Sequence, residues 1–387
     1  MYRFFFMASV LLFLAMTVFV YLNYPKSWRE NKMFRVVLIL WHLTGMLAIS
    51  IIFTVFKTIH HAGIKYEIVR IGTYYYLMVL LLTILFAIRL AISSLYLFIM
   101  KKRGAEIPEQ GKRWLTDKRV HSILFILAAY VITTAGYFNI DILNTTEYDI
   151  TIHKKSAEKD LNVLLVADIH AGSGNWEFTY TELAEQIDAA NADVILLAGD
   201  IFDETTSDHD VELVNWMLET IRQPRYGIYY VYGNHDDSTN DWAGKTIRSM
   251  GVTTLDDRMT ILGEDVQLIG HDDPKHSSLT YQQLMSSLQV DSEKPVLMLT
   301  HRPKEFRELS ELGIDLAVAG HTHGFNIPFF MGEPSLNDMY YGWRQYGNLN
   351  AVTTSGVAAW GWHYKWPAKS EIVLIHLHFE WKKESLF

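Results

Sequence analysis

The sequence predicts a helical membrane region followed by a layered α/β domain. Half of the 387 residues are hydrophobic and the mean hydropathy is +0.07, high for a chain wholly in water. Four long apolar stretches fall before residue 141, and from about residue 160 short apolar runs alternate with amphipathic segments. The charge divides at the same place: residues 1–147 carry 16 Lys/Arg against 7 Asp/Glu, a balance of +9, which leaves −18 for residues 148–387. An acidic half of that strength repels phosphate backbones, so no nucleic acid is expected as its ligand, and a small or membrane-held substrate fits better. The absence of cysteine excludes disulfides, thiolate metal ligands and a cysteine nucleophile.

The apolar stretches lie near Tyr2–Tyr24, Phe34–Phe56, Gly72–Met100 and Val120–Ile140. Each can cross about 30 Å of hydrocarbon at about 1.5 Å per residue, so residues 1–145 are expected to form a four-helix transmembrane domain. The first stretch lacks a small-residue cleavage pattern and reads as a retained helix, not a signal peptide. Lys26, Arg29, Lys32 and Arg35 in the first loop join Lys101, Lys102, Arg103, Lys112, Arg113, Lys118 and Arg119 in the third, eleven basic residues on one side. Arg3, Lys57, Lys65, Arg70, Lys154 and Lys155 face them, six in all. The positive-inside rule then places residues 146–387 outside the cytoplasm of a multi-pass protein of the inner or cell membrane. Arg89, inside the third stretch, either makes a polar contact within the bundle or reaches an interface. Tyr74, Tyr75 and Tyr76 are expected as interfacial anchors.

In the second half, strands are expected at Val163–Ala167, Val194–Ala198, Ile228–Tyr232, Val266–Ile269, Val296–Leu299, Leu316–Ala319 and Glu371–Phe379. Helices are expected at Tyr180–Ala190, Asp210–Ile221 and Tyr281–Leu288, with Thr181 and Asp208 as starting caps. Five of the strands run directly into polar residues of one chemical kind: Asp168-Ile169-His170, Gly199-Asp200-Ile201-Phe202-Asp203, Gly233-Asn234-His235-Asp236, His301, and Gly320-His321-Thr322-His323. Side chains at the C-terminal ends of neighbouring strands converge on one crevice. Asp, His and Asn together suit Zn²⁺, Mn²⁺ or Fe ions, whereas Ca²⁺ prefers oxygen alone. Their number exceeds the needs of one ion, and two divalent ions about 3.5–4 Å apart would use them all.

The ordered set D-x-H, G-D-x-x-D, G-N-H-D, lone His and G-H-x-H resembles the five signature blocks of the calcineurin-like metallophosphoesterases, over about Asn162 to His323. The resemblance implies an αββα metallophosphoesterase domain. It implies Asp168, His170, Asp200 and His323 as ligands of one metal, Asp200 as the bridge, and Asn234, His301 and His321 as completing the other site. It further implies His235 as a catalytic group beside the scissile phosphate, and in-line attack by a metal-bridging hydroxide. Asp236 is expected to orient His235, and Asp203 to support the site as an acceptor behind it. Gly270-His271-Asp272-Asp273 resembles a family loop near the site and receives no ligand role, and His376 and His378 are expected to pack in the last strand.

Residues 339–366 hold Tyr340, Tyr341, Trp343, Tyr346, Trp360, Trp362, Tyr364 and Trp366. They form either a rim that touches a bilayer and admits a lipid-linked substrate or a long loop packed over the sheet edge. Arg344, His363 and Lys365 are candidates for contact with a substrate phosphate, or for solvated surface charge. The expected activity is hydrolysis of a phosphodiester, pyrophosphate or phosphomonoester. Similarity to the hydrolases of lipid A biosynthesis implies a lipid-linked phosphate such as a UDP-diacylglucosamine-like molecule, whereas the orientation favours an exported lipid or envelope phosphate ester. The alternatives are a membrane sensor or scaffold that has lost catalysis, and a nuclease.

Overall fold

The computed structural model describes residues 2–54, 62–172, 177–236, 239–324, 337–360 and 363–380. Lys57 and Trp362 lie outside them. The chain divides into two compact units, Met1–Phe56 with Glu67–Tyr137, and Lys57–Tyr66 with Phe138–Phe387.

The first unit is helical. Its elements are α1 (Tyr2–Asn23), α2 (Lys26–Glu30), α3 (Lys32–Thr54), α4 (Ala62–Lys102), α5 (Glu109–Thr116) and α6 (Lys118–Asn139), with the start of α4 and the end of α6 belonging to the second unit. Among the described residues, three helical stretches are long and apolar enough to cross a membrane, at Lys32–Ile51, Ile64–Lys102 and Lys118–Asn139, and α1 adds a shorter one at Val10–Asn23. The helices meet along spaced apolar positions: Phe13, Met16 and Val20 of α1 pack with Tyr75, Val79, Leu82 and Phe86 of α4. Leu40, Leu43, Leu95, Phe98, Leu124 and Val131 are exposed, as lipid-facing side chains would be. Arg89 is buried and donates to the Leu115 carbonyl at 2.7 Å, a polar contact within the bundle. Tyr75 is also buried and hydrogen-bonds His42, and the Tyr74 hydroxyl meets Thr134 at 3.0 Å. Both rings thus meet side chains of neighbouring helices.

The second unit runs β1 (Leu143–Ile152), β2 (Asp160–Val166), α7 (Glu177–Ala190), β3 (Val194–Leu197), α8 (Asp208–Thr220), β4 (Ile228–Tyr230), α9 (Trp242–Ser249), β5 (Thr253–Thr254), β6 (Met259–Leu262), β7 (Val266–His271), α10 (Tyr281–Ser287), β8 (Val296–Thr300), α11 (Phe306–Glu311), β9 (Leu316–Ala319), β10 (Gly342–Tyr346), β11 (Leu349–Thr353) and β12 (Ser370–Phe379). Two six-stranded sheets form, ordered β1-β12-β2-β3-β4-β5 and β10-β11-β9-β8-β7-β6. The pleat sends alternate residues to opposite faces. Val163, Leu165, Val194 and Leu196 meet Leu297, Leu299, Leu316 and Val318 between the sheets, while Leu164, Val166, Ile195 and Leu197 face α7 and α8. Met298, Ala317 and Ala319 pack on α10 and α11. Strands buried on both faces read as unbroken apolar runs, and the layers are α, β, β, α.

Two expected helix starts move. Ser207, not Asp208, caps α8 through a capping box with Asp210, and α7 begins at Glu177, which puts Thr181 inside it. Part of the expected aromatic loop is instead the antiparallel hairpin β10–β11.

Candidate metal centre

Every predicted ligand lies at a strand end, and the turns there are unusual. Asp168, His170, Asp200, His321 and His323 all have φ between 47° and 73°, the left-handed region that side chains other than glycine seldom adopt. Such strain, of order 1–3 kcal/mol per residue, persists where surrounding structure imposes it and clusters at functional sites. Cross-strand bonds impose it here: Asp168 N donates to Gly199 O at 3.1 Å, His170 N to Asp200 O at 3.0 Å and Gly320 N to His301 O at 3.0 Å. Two glycines allow the close approach. A Cβ on Gly233 would sit 2.2 Å from Asp200 Oδ1, and one on Gly320 would sit 2.6 Å from Asp168 Oδ2.

Among the described residues the side chains gather into two groups able to hold a metal ion, Asp168 with His170 and His323, and Asp200 with His301 and His321, the ligand atoms of each group lying within 4.8 Å of one another. Asp200 lies between them, its Oδ2 3.7 Å from His170 Nε2 and 3.2 Å from His301 Nε2. His301 Nε2 is also 3.1 Å from Asn234 Oδ1 and 3.1 Å from His321 Nδ1. The Ala198 carbonyl, 2.7 Å away, accepts the His301 Nδ1 proton, and the Ala358 carbonyl, 3.1 Å away, accepts that of His323 Nδ1. In both rings Nε2 is thereby left as the ligand atom.

The donor set fits divalent ions. Among the described residues, both ring nitrogens of His170 are buried without a hydrogen-bond partner, which is costly unless a cation satisfies one of them. Burial holds His170 well below the usual imidazole range, and burial, aided by His301, takes His321 to about 2. Burial, aided by the Lys365 ammonium, takes His323 to about 3. All three are neutral with lone pairs to give. Burial also acts to lower His301, but the Asp200 and Asp168 carboxylates outweigh it and raise it to about 10. That strong pull marks where positive charge belongs.

His235 sits at the mouth with its side chain 17% exposed, its backbone N donating to Asp200 Oδ1 at 2.7 Å. Asp236 does not fill the orienting role expected of it. Fully buried, it accepts from Asp200 N at 2.7 Å, Gly233 N at 2.8 Å and Phe202 N at 3.0 Å, tying two ligand loops together. The partner on His235 Nδ1 is Glu204 at 3.0 Å, and Trp360 stacks on the ring at 4.6 Å between centroids. Burial lowers His235, but Glu204 and Asp200 outweigh it and raise the ring above its ordinary value. Asp203 Oδ2 lies 3.8 Å from His170 Nδ1. Lys275 Nζ donates to Asn234 O at 2.7 Å, and His276 Nε2 meets Gly233 O at 2.9 Å, so the loop after β7 braces the Gly233–Asn234 turn. Lys365 and His363 are not surface charges: both are buried, and His363 pairs with Asp141 at 2.9 Å, whereas Arg344 is exposed on β10. Glu204 and the Ala358 carbonyl were not singled out in the sequence, because neither belongs to a block nor follows a period.

Residues 161–325 match the family model described as calcineurin-like phosphoesterase. The chain carries a calcineurin-like phosphoesterase domain. It is 28% identical over 243 residues to an uncharacterized metallophosphoesterase of Helicobacter pylori strain J99, covering 58% of this chain and 62% of that one. It is 26% identical to a transmembrane protein with metallophosphoesterase domain of Danio rerio (59% and 56% covered), and 25% identical to phosphodiesterase YaeI of Escherichia coli K12 (60% and 89% covered). The match therefore spans less than two thirds of the Helicobacter and Danio relatives.

Proposed function

We propose that this protein is a dinuclear-metal phosphoesterase of a membrane, hydrolysing a phosphodiester, pyrophosphate or phosphomonoester. The observation that carries this is Asp200, which belongs to one ligand group with its Oδ2 3.2 Å from His301 and reaches the other group at 3.7 Å from His170. Asp168, His170, His323 and Asp200 would hold one ion, and Asp200, Asn234, His301 and His321 the other. Bound there, Mn²⁺, Zn²⁺ or Fe ions supply Lewis-acid activation of water and of the phosphoryl oxygens. His235 acts from the open side. Glu204 accepts its Nδ1 proton and sustains the charged ring, so Nε2 can give a proton to the departing oxygen.

The substrate is a lipid-linked or envelope phosphate ester. The apolar helices in the same chain support this, as does the exposed Trp360 on His235, an aromatic face beside the reacting groups. The phosphoesterase unit faces away from the cytoplasm, on the strength of the eleven-to-six basic count. The test is turnover of an aryl phosphodiester, then of a lipid extract followed by mass spectrometry, by purified protein with Mn²⁺ and with His235→Ala as control. Turnover of neither substrate refutes the hydrolase. Turnover of the aryl ester alone, with lipids unchanged, refutes the lipid substrate. Release of the domain by protease from intact cells tests the orientation, and protection overturns it.

A further inference from the structure

Two buried lysines stand behind the candidate centre. Lys365 is wholly buried, and its Nζ donates to Ser355 O at 2.6 Å and to Gly356 O. Those carbonyls belong to the turn after β11 that backs two ligands. Ala358 N donates to Asp168 O at 2.9 Å, and Ala358 O accepts from His323 Nδ1 at 3.1 Å. Gly356 abuts Asp168 so closely that a Cβ there would lie 2.6 Å from the aspartate Cβ.

Lys65 lies near the start of α4, within the second unit, with its side chain 4% exposed. Its Nζ donates to Thr205 O at 3.1 Å and lies 3.9 Å from Asp210 Oδ2. Thr205 in turn donates through both N and Oγ1 to Asp203 Oδ1 at 2.7 Å, which fixes that carboxylate with its Oδ2 3.8 Å from His170 Nδ1. An ammonium group is a costly thing to bury, and each is set on main-chain carbonyls of a loop that meets a ligand. All the ligands reached in this way, Asp168, His170 and His323, belong to the same group. The other group is steadied by the Ala198 carbonyl and by Asp236. Both lysines fall outside the matched residues 161–325.

We propose that Lys65 and Lys365 are positioning residues for one ion only, that held by Asp168, His170 and His323, and that loss of either weakens this ion while sparing its neighbour. The proposal rests on the two-ion function above. It makes the first turn of the long apolar helix a working part of the phosphoesterase.

The full chain in detergent, freed of metal and titrated with Mn²⁺, tests it. Calorimetry gives the two affinities, and electron paramagnetic resonance separates a coupled Mn²⁺ pair from an isolated ion. In Lys65→Met and Lys365→Met one affinity should fall about 10- to 100-fold, the usual loss when a group supporting a ligand is removed. The other affinity should hold its wild-type value, and an isolated-ion signal should replace the coupled one at limiting metal. Lys65→Arg should restore part of the loss. Unchanged affinities in folded Lys65→Met overturn the proposal, as does equal weakening of both sites. Lys65 contacts a loop carbonyl and the Asp210 carboxylate, not the sheet core, so this variant decides if Lys365→Met fails to fold. Wild-type protein that binds fewer than two ions removes the two-ion function and this inference together, whereas two ions bound with the same two affinities in wild type and variants remove only the inference.

Discussion

Asp236→Asn separates a structural role for Asp236 from a catalytic one. In the wild type Oδ2 accepts from Asp200 N and Gly233 N, and Oδ1 from Phe202 N. An asparagine keeps one oxygen, best spent on the first two donors, and turns its NH₂ toward the Phe202 N–H. One buried donor then loses its acceptor and faces another donor, at a cost of about 1–3 kcal/mol. A unit of this size loses about 2–4 °C in Tm per kcal/mol, so a mid-range cost of about 2 kcal/mol gives a fall of about 4–8 °C. Calorimetric melting of the metal-loaded protein reads the shift, and kcat at saturating metal reads the chemistry. Asp236→Ala, which strands all three donors, should melt lower still. An unchanged Tm together with a kcat loss equal to that of His235→Ala would refute the structural assignment and return Asp236 to the role of orienting the imidazole.

Asp200→Ala should remove the shared ligand, so both metal equivalents drop in elemental analysis and kcat/KM falls by about three orders of magnitude, given that bound ions supply several kcal/mol; retention of two ions would refute the bridge. Gly320→Ala places a methyl 2.6 Å from both Ala167 Cβ and Asp168 Oδ2, which should cost about 1–3 kcal/mol in denaturant unfolding and weaken one metal site. His235 has a raised pKa in the folded protein and is needed protonated, so activity is full below that value and is lost as pH rises through it. Glu204→Gln removes a cause of the raised value, and the alkaline limb of the pH–rate profile should move to lower pH; an unmoved limb would remove Glu204 from this role.

The ligand blocks were legible because each lies where a run of apolar residues stops, and a strand buried on both faces advertises its end in this way. The apolar helices were equally plain, since a lipid-facing surface demands long unbroken runs. Strands β1, β5, β6, β10 and β11 were not seen, and β1 and β10 show why. They are edge strands in the two sheets, with half their residues in solvent, and their sequences Leu143–Ile152 and Gly342–Tyr346 carry polar residues throughout. The α8 cap moved because a serine four residues before the first apolar residue, Val211, looks like any loop residue until its hydroxyl is seen to accept from Asp210 N.

By itself the sequence determined which residues could bind metal and that they sit at strand ends, because ligand chemistry is local to a side chain and strand ends are marked by hydropathy. Only the tertiary structure decided that Asp200 stands between the two groups, that Glu204 and not Asp236 meets His235, and that Lys65 and Lys365 are buried behind the ligands. Those facts depend on contacts between residues as many as 140 positions apart, as from Lys65 to Thr205, and chain order carries no record of which distant carbonyl a side chain will reach.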